Sequence, residues 1–252
     1  TGLFIVPNVS LPEGDSQIVA IANDSVGQSA QSAAFIITLD TGAPAAVELS
    51  GTARVGQAGI DIGWDFAAIG EQPTAFYVYR SNNTFTDLTQ AELLTTLPIN
   101  EQTYVDTPTT DGTYYYGVVG IDSAGNLSPL SNVISIIYDR SNPDLTIHYD
   151  RNSPVGTGLL NITLVSNEPL LQTPSLTLTP ANSQSPHAII LNAQDETTYV
   201  GSLDISPAMN NGLVSVLAIA TDKFGNKVTT VPANAHLELD TRGPVATIQV
   251  NP

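Results

Sequence analysis

At 252 residues, with 7 Lys and Arg against 24 Asp and Glu, the chain carries a formal charge of −17. That balance excludes the cationic footprint needed to hold nucleic acid or an anionic membrane, and the absence of cysteine excludes disulfides, zinc-thiolate sites and thiol nucleophiles. Only 12% of residues are charged, so the chain is polar through Thr, Ser and Asn and should fold.

Short β-branched runs broken by Pro, Gly, Asn and Asp start at once. Gly2–Val6, Gln17–Ile21 and Ala33–Leu39 read as strands. Ala46–Ser50, Ile60–Trp64 and Phe76–Arg80 follow, the second of these with strict alternation. Asp87–Leu94 is mildly helix-like and is expected to be a loop or a single turn. Thr103–Val105, Thr113–Ile121 and Asn132–Tyr138 then read as strands. Beyond them come Leu145–His148, Leu159–Val165, Ser175–Leu178, Ala188–Leu191, Tyr199–Ile205, Val214–Ala220, Ala235–Leu239 and Val245–Val250. No apolar run reaches the roughly 18 residues of a membrane-spanning helix, so direct membrane insertion is not expected.

A long repeat orders these strands. Gly14, Gly112 and Gly212 each stand ten residues before Asp24, Asp122 and Asp222, which are followed by Gly27, Gly125 and Gly225 and then by Gln28, Asn126 and Asn226. An Asp four residues before a Pro closes each copy, at Asp40, Asp139 and Asp240. The steps are 122 − 24 = 98 and 222 − 122 = 100. A period of that length is a whole domain rather than a solenoid unit. The expected organisation is the C-terminal part of one module in 1–40, complete modules in 41–139 and 140–240, and a first strand of another in 241–252. The chain thus reads as a segment of a longer pattern. Seven short strands per module, with turns every 8–12 residues, predict an antiparallel sandwich.

Residues 45–139 resemble a bacterial fibronectin type III module. Trp64 stands where that family places its core tryptophan, Phe76–Ser81 matches its third strand, and Tyr114, Tyr116, Val118, Gly120 and Asp122 share the inward phase of its sixth, with Tyr114 in the tyrosine-corner position. Residues 140–240 are similar to the immunoglobulin-like repeats of large bacterial surface proteins. The resemblance implies an all-β fold of tandem immunoglobulin-like antiparallel β-sandwiches arranged head to tail. It is nearly silent on function, because the sandwich carries unrelated activities.

Catalytic motifs are missing. His148, His187 and His236 have neither helical pair spacing nor a recurrent acidic partner, and no Gly-x-Ser-x-Gly, His-Glu-x-x-His or phosphate loop occurs. No enzymatic activity is expected. Tyr77, Tyr79, Tyr115 and Phe85 could stack on sugars, but alternate strand residues must fill the core or cover the sheets, and they are assigned there.

The remaining chemistry is acidic. In an immunoglobulin-type sandwich the last hairpin turn lies at the pole of the incoming linker. That gathers Asp40, Asp122, Asn126 and Glu13 at one junction, and Asp139, Asp222, Asn226, Asp111 and Asp144 at the next. Calcium takes six to eight oxygens from such groups, and the resemblance implies calcium-stiffened linkers. The same residues also spell a tight turn, in which Asp bonds nearby amides and Gly tolerates positive φ. Asn211 replaces the carboxylate of Glu13 and Asp111 in the third copy. The expected role is a non-catalytic stalk or spacer of a large extracellular or cell-surface prokaryotic protein. Its partners would be neighbouring modules, or other copies in a fibre. The alternatives are accessory carbohydrate-binding modules of a secreted polysaccharide-degrading enzyme, or the subunit of an extracellular filament or surface layer.

Overall fold

The computed structural model describes residues 5–249. Residue contacts divide the chain into two compact units. One takes the chain up to Thr52 with Asp61–Val105 and Thr113–Ile136, and the other takes Ala53–Ile60, Asp106–Gly112 and the chain from Ile137 onward.

Residues 14–39 form a broken hairpin. β1 (Gly14–Ile18) and β2 (Ile21–Asn23) run to the Asp24–Gln28 turn, and β3 (Ser29–Gln31) and β4 (Phe35–Leu39) return. β1 pairs with β4 and β2 with β3, both antiparallel. The Gly2–Val6 strand is not observed. Its first three residues lie outside the described ones, and Ile5 and Val6 belong to no strand. Ile21 and Phe35 remain 61% and 66% exposed, since a two-stranded ribbon has no second sheet to cover its apolar face.

Seven strands follow: β5 (Glu48–Ala53), β6 (Ile60–Asp65), β7 (Ala75–Ser81), β8 (Glu92–Pro98), β9 (Thr103–Asp106), β10 (Gly112–Ile121) and β11 (Ile134–Tyr138). They make two sheets, ordered β5-β6-β9 and β11-β10-β7-β8. Alternation places Leu49, Ile60, Ile62 and Trp64 on the inner face of the first sheet and Phe76, Val78, Tyr116 and Val118 on that of the second, all buried. Trp64 meets Phe76 edge-on, with ring centroids 5.4 Å apart. The inward phase expected for β10 holds from Tyr114 to Asp122, and Arg80 lies over the Tyr114 ring at 5.5 Å. Phe85 is buried, while Tyr77, Tyr79 and Tyr115 are half-buried on the outer face, as face-covering residues are.

Asp87–Leu94 is divided between two elements. Asp87 caps a single 3-10 turn, Leu88–Gln90, and Glu92 starts β8, which sequence reading missed. Edge pairing with β7 holds this segment extended in spite of its helical pattern.

The third group is β12 (Leu145–Tyr149), β13 (Gly158–Ser166), β14 (Ser175–Thr179), β15 (His187–Ile189), β16 (Asn192–Ala193), β17 (Thr198–Ile205), β18 (Gly212–Leu213), β19 (Ser215–Thr221), β20 (Lys227–Thr230) and β21 (Glu238–Leu239). Its four-stranded sheets are ordered β12-β13-β17-β16 and β15-β14-β19-β20. Ile147, Leu160, Ile162 and Leu164 of the first pack with Leu176, Leu178, Val216 and Ala218 of the second. The order matches the immunoglobulin arrangement, with first, second, fifth and fourth strands in one sheet and third, sixth and seventh in the other. The fold is therefore all-β, with tandem immunoglobulin-like sandwiches.

Two sequence expectations change here. The Ala235–Leu239 strand shrinks to β21; past Thr230 the chain leaves β19, and at Ala233 it bridges Thr146 in parallel. Residues 241–249 form no strand; Val245 and Ile248 are 92% and 90% exposed, and Val250 lies outside the described residues.

Candidate functional site

The repeated Asp-x-x-Gly motif is a turn in all three copies. Asp24 Oδ1 accepts the amides of Val26 and Gln28, Asp122 Oδ1 those of Ala124 and Asn126, and Asp222 Oδ1 those of Phe224 and Asn226, at 2.8–3.0 Å. Gly27, Gly125 and Gly225 take φ of 84°, 95° and 87°, the left-handed region that a side chain resists. The carboxylates are thereby fixed in direction before any ligand arrives.

The same carboxylates reach the linkers. Asn126 Nδ2 donates to the Asp40 carbonyl at 3.2 Å and to Asp122 Oδ2 at 2.9 Å. Asn226 Nδ2 does the same for Asp139 and Asp222, at 3.1 and 2.7 Å. Each linker aspartate also accepts an amide two residues on, Asp40 from Gly42 and Asp139 from Ser141.

Two carboxylate trios result among the described residues. Asp40, Glu71 and Asp122 form one and Asp139, Glu168 and Asp222 the other, each with one oxygen per residue within 4.8 Å of the others. The first trio lies wholly within the first unit and the second within the second. Asp40, Asp122, Asp139 and Asp222 were expected there from sequence, but Glu71 and Glu168 were not. Both stand in the loop between the second and third strands of their sandwiches, and 168 − 71 = 97 is close to the repeat step, a signal that could have marked them.

Electrostatics separates the members. Burial pushes the Asp139 carboxyl above its ordinary range, and the charges of Asp111 and Asp222 push it further. Glu168 is raised the same way, first by burial and then by Asp139, Asp222, Asp111 and Asp144. Burial acts upward on Asp122 too, but the hydrogen bonds from Asn126 and neighbouring amides outweigh it and hold the carboxyl low. Burial and neighbouring acids thus both oppose ionisation of Asp139 and Glu168.

Glu13 and Asp111 lie outside the trios and grip the linkers themselves. Glu13 accepts the Thr41 amide and hydroxyl at 2.9 and 2.7 Å. Asp111 accepts the Arg140 amide at 2.9 Å and the Ser141 hydroxyl at 2.5 Å. Asn211 Oδ1 accepts both the amide and the hydroxyl of Thr241, while its Nδ2 donates to Asp240 Oδ1. One bracket therefore recurs at three linkers. An amide oxygen serves it as well as a carboxylate, which is why Asn211 can replace Glu or Asp. Hydrogen bonding from the Thr41 and Ser141 hydroxyls holds Glu13 and Asp111 below the ordinary carboxylate range. Asp144 pairs backbone to Asn167 and contributes only its charge to Glu168.

Donor chemistry in the trios suits a hard cation. All three protein ligands are carboxylate oxygens from separate chain segments, and the carbonyls of Asp40 and Asp139 lie close by. As placed, Asn126 and Asn226 point nitrogen at the trio, and a half-turn of either amide would present oxygen instead. Such sets fit calcium, which accepts irregular oxygen shells, better than magnesium, which demands an octahedron.

The three histidines do not converge: His148 and His236 are exposed on the surface and His187 is half-buried on β15. Among the described residues, no helix is long and apolar enough to cross a membrane.

No family model and no curated protein sequence matches the chain. Among solved structures it is similar to a tetra-tandem repeat from the extending region of a large adhesion protein, with 18% identity over 91% of this chain and a TM-score of 0.34. The chain spans 57% of the length of that structure. It is also similar to the fibronectin(III)-like modules of CbhA from Clostridium thermocellum, with 13% identity over 89% of this chain and 94% of that one and a TM-score of 0.33. The FN1–FN3 domains of chicken CNTN1 give 12% identity over 82% and 73%, with a TM-score of 0.33. At these values the fold assignment rests on the sheet order described above.

Proposed function

We propose that this chain is a non-catalytic spacer segment of a larger extracellular, adhesin-like protein, whose linkers are held by side-chain brackets and stiffened by calcium at the carboxylate trios. The observation that carries the reading is the bracket. Glu13 on Thr41, Asp111 on Ser141 and Asn211 on Thr241 fasten three successive linkers in the same way. A segment whose role is to transmit position gains from fixed linkers, whereas a flexible tether would spend Gly and Ser there. The trios add the second element. Each gathers like charges at a linker aspartate, and a divalent cation would relieve their repulsion.

Calorimetry and solution scattering of the full chain, in calcium and then in excess chelator, test the reading. At calcium near 100 times Kd, binding to the native state stabilises by about 2.7 kcal/mol, a melting shift on the order of 10 °C for a unit of this size. Asp139→Ala should remove the response of the unit that contains it and leave the other. If neither unit responds, calcium is dropped and the brackets alone fix the linkers.

A further inference from the structure

The bracket at the third linker carries chemistry that the other two lack. In every copy the bracket residue precedes a glycine, as Glu13-Gly14, Asp111-Gly112 and Asn211-Gly212, and that glycine opens a strand. Only the third copy is an Asn-Gly pair, and the chain holds no other. The backbone nitrogen that follows an asparagine can attack its side-chain amide. A glycine there, without Cβ, leaves the approach open.

The surroundings of Asn211 favour this attack. Asn211 Oδ1 accepts the Thr241 amide at 2.8 Å and its hydroxyl at 2.7 Å. Nδ2 donates to Asp240 Oδ1 at 2.8 Å, which fixes the end of the amide that is oxygen. Two donors therefore face the atom on which negative charge gathers when Cγ is attacked, as in an oxyanion hole. In the resting state the hydroxyl proton is shared, because Thr241 Oγ1 also reaches the Met209 carbonyl at 2.9 Å. Charge on Oδ1 draws that proton over, so the contact strengthens more in the transition state than in the ground state. Gly212 belongs to a pairing of only two residues, β18 with β21, and so short a ladder opens locally with ease. Asn211 and Gly212 are half-buried and Leu213 is exposed, so water reaches the site.

We propose that Asn211 is a site of spontaneous deamidation, which converts the third bracket to the acidic form that the other two carry. Gly212 N gives up its proton to solvent and bonds to Asn211 Cγ. The Cγ–Nδ2 bond breaks, and the nitrogen leaves as ammonia with a third hydrogen taken from water, closing a succinimide ring. Water then opens the ring, giving aspartate by addition at Cγ or isoaspartate by addition at the backbone carbonyl. The sum is asparagine plus water to aspartate plus ammonia. Aspartate fits the place, because Asp111 holds Arg140 and Ser141 through the same two contacts. The formal charge moves from −17 to −17 − 1 = −18. The proposal rests on the bracket geometry and makes no use of calcium or of the spacer role.

The full chain, kept folded in chelator at mildly alkaline pH, is aged, sampled over weeks, digested and read by fragmentation mass spectrometry. Asn211 should gain about 1 Da, the exchange of an amide NH2 for OH. It should do so roughly tenfold or more faster than Asn210, where the next residue carries a side chain. The aspartate form should coelute with Asn211→Asp on anion exchange. Thr241→Val keeps the shape and drops the hydroxyl, so it should convert several-fold more slowly when both chains are held well below their melting temperatures. No gain at Asn211, an equal rate at Asn210, or isoaspartate without aspartate overturns the inference. So does a Thr241→Val chain that converts as fast as the parent or faster, since the bracket would then protect Asn211.

Discussion

Asp111 and Asn211 do one task with different chemistry, which separates hydrogen bonding from charge at a single position. Asp111→Asn should keep the bracket on Arg140 and Ser141, as Asn211 does on Thr241, whereas Asp111→Ala should cost about 1 kcal/mol, the usual loss for a capping acceptor. Denaturant unfolding of the two variants checks this. The pH dependence follows from the sign of the shift. Asp111 has a folded pKa below its ordinary value, so its stabilisation is present above the ordinary carboxylate range and is lost as pH falls through the lowered value. Asp111→Asn should remove that acid-side loss. Glu168 behaves oppositely. Its folded pKa is raised, so its ionised form opposes folding at neutral pH and the penalty is relieved as pH falls through the raised value. In chelator, Glu168→Gln should stabilise the chain at neutral pH by roughly 0.5 kcal/mol, the scale of a partly solvated charge pair. In calcium the same variant should destabilise it. A stabilisation that persists in calcium would show that Glu168 is not a ligand.

Among the elements, the three Asp-x-x-Gly turns share backbone but not surroundings. At Gly125 a Cβ would meet nothing within 4 Å, so Gly125→Ala should cost only the left-handed strain of about 1 kcal/mol. At Gly225 a Cβ would fall 2.6 Å from Val55 Cγ1 and 2.9 Å from the Gly56 amide nitrogen, and that amide donates to the Phe224 carbonyl. Gly225→Ala should therefore cost ~2–4 kcal/mol, adding overpacking to strain. Thermal melts of both variants decide it; equal losses would mean the Gly56 contact carries no weight. The turns were legible from sequence because Asp, Gly and Asn at fixed spacing have a local backbone reason to recur. Edge strands were less so. Glu92–Pro98 is held extended by β7, a partner remote in sequence, and Lys227–Thr230 alternates too weakly to announce its pairing with β19. The trios were half legible for a related reason. Asp40, Asp122, Asp139 and Asp222 also serve a turn or linker and so leave a local pattern, while Glu71 and Glu168 serve neither and leave only their spacing, 168 − 71 = 97, as a mark.

For the whole molecule, the charge of −17 must be separated from any specific ion effect. Self-repulsion opposes compaction, and salt screens it as the Debye length falls from about 30 Å at 0.01 M to about 8 Å at 0.15 M. Raising sodium chloride across that range in chelator should thus lift melting of both units by a few degrees, and Asp139→Ala should hardly alter the rise. About 1 mM calcium adds little ionic strength to a 0.15 M background, so a shift that survives there is ligation and not screening. Magnesium at the same concentration supplies the control, because its octahedral demand is poorly met by carboxylates already fixed by turn amides. Glu71→Gln should then blunt the calcium response of the first unit alone and Glu168→Gln that of the second, since each trio is contained in one unit. A calcium response equal to that of magnesium and unaffected by either substitution would reduce the trios to part of the diffuse acidic surface. The brackets at Glu13, Asp111 and Asn211 would then be left to hold the linkers.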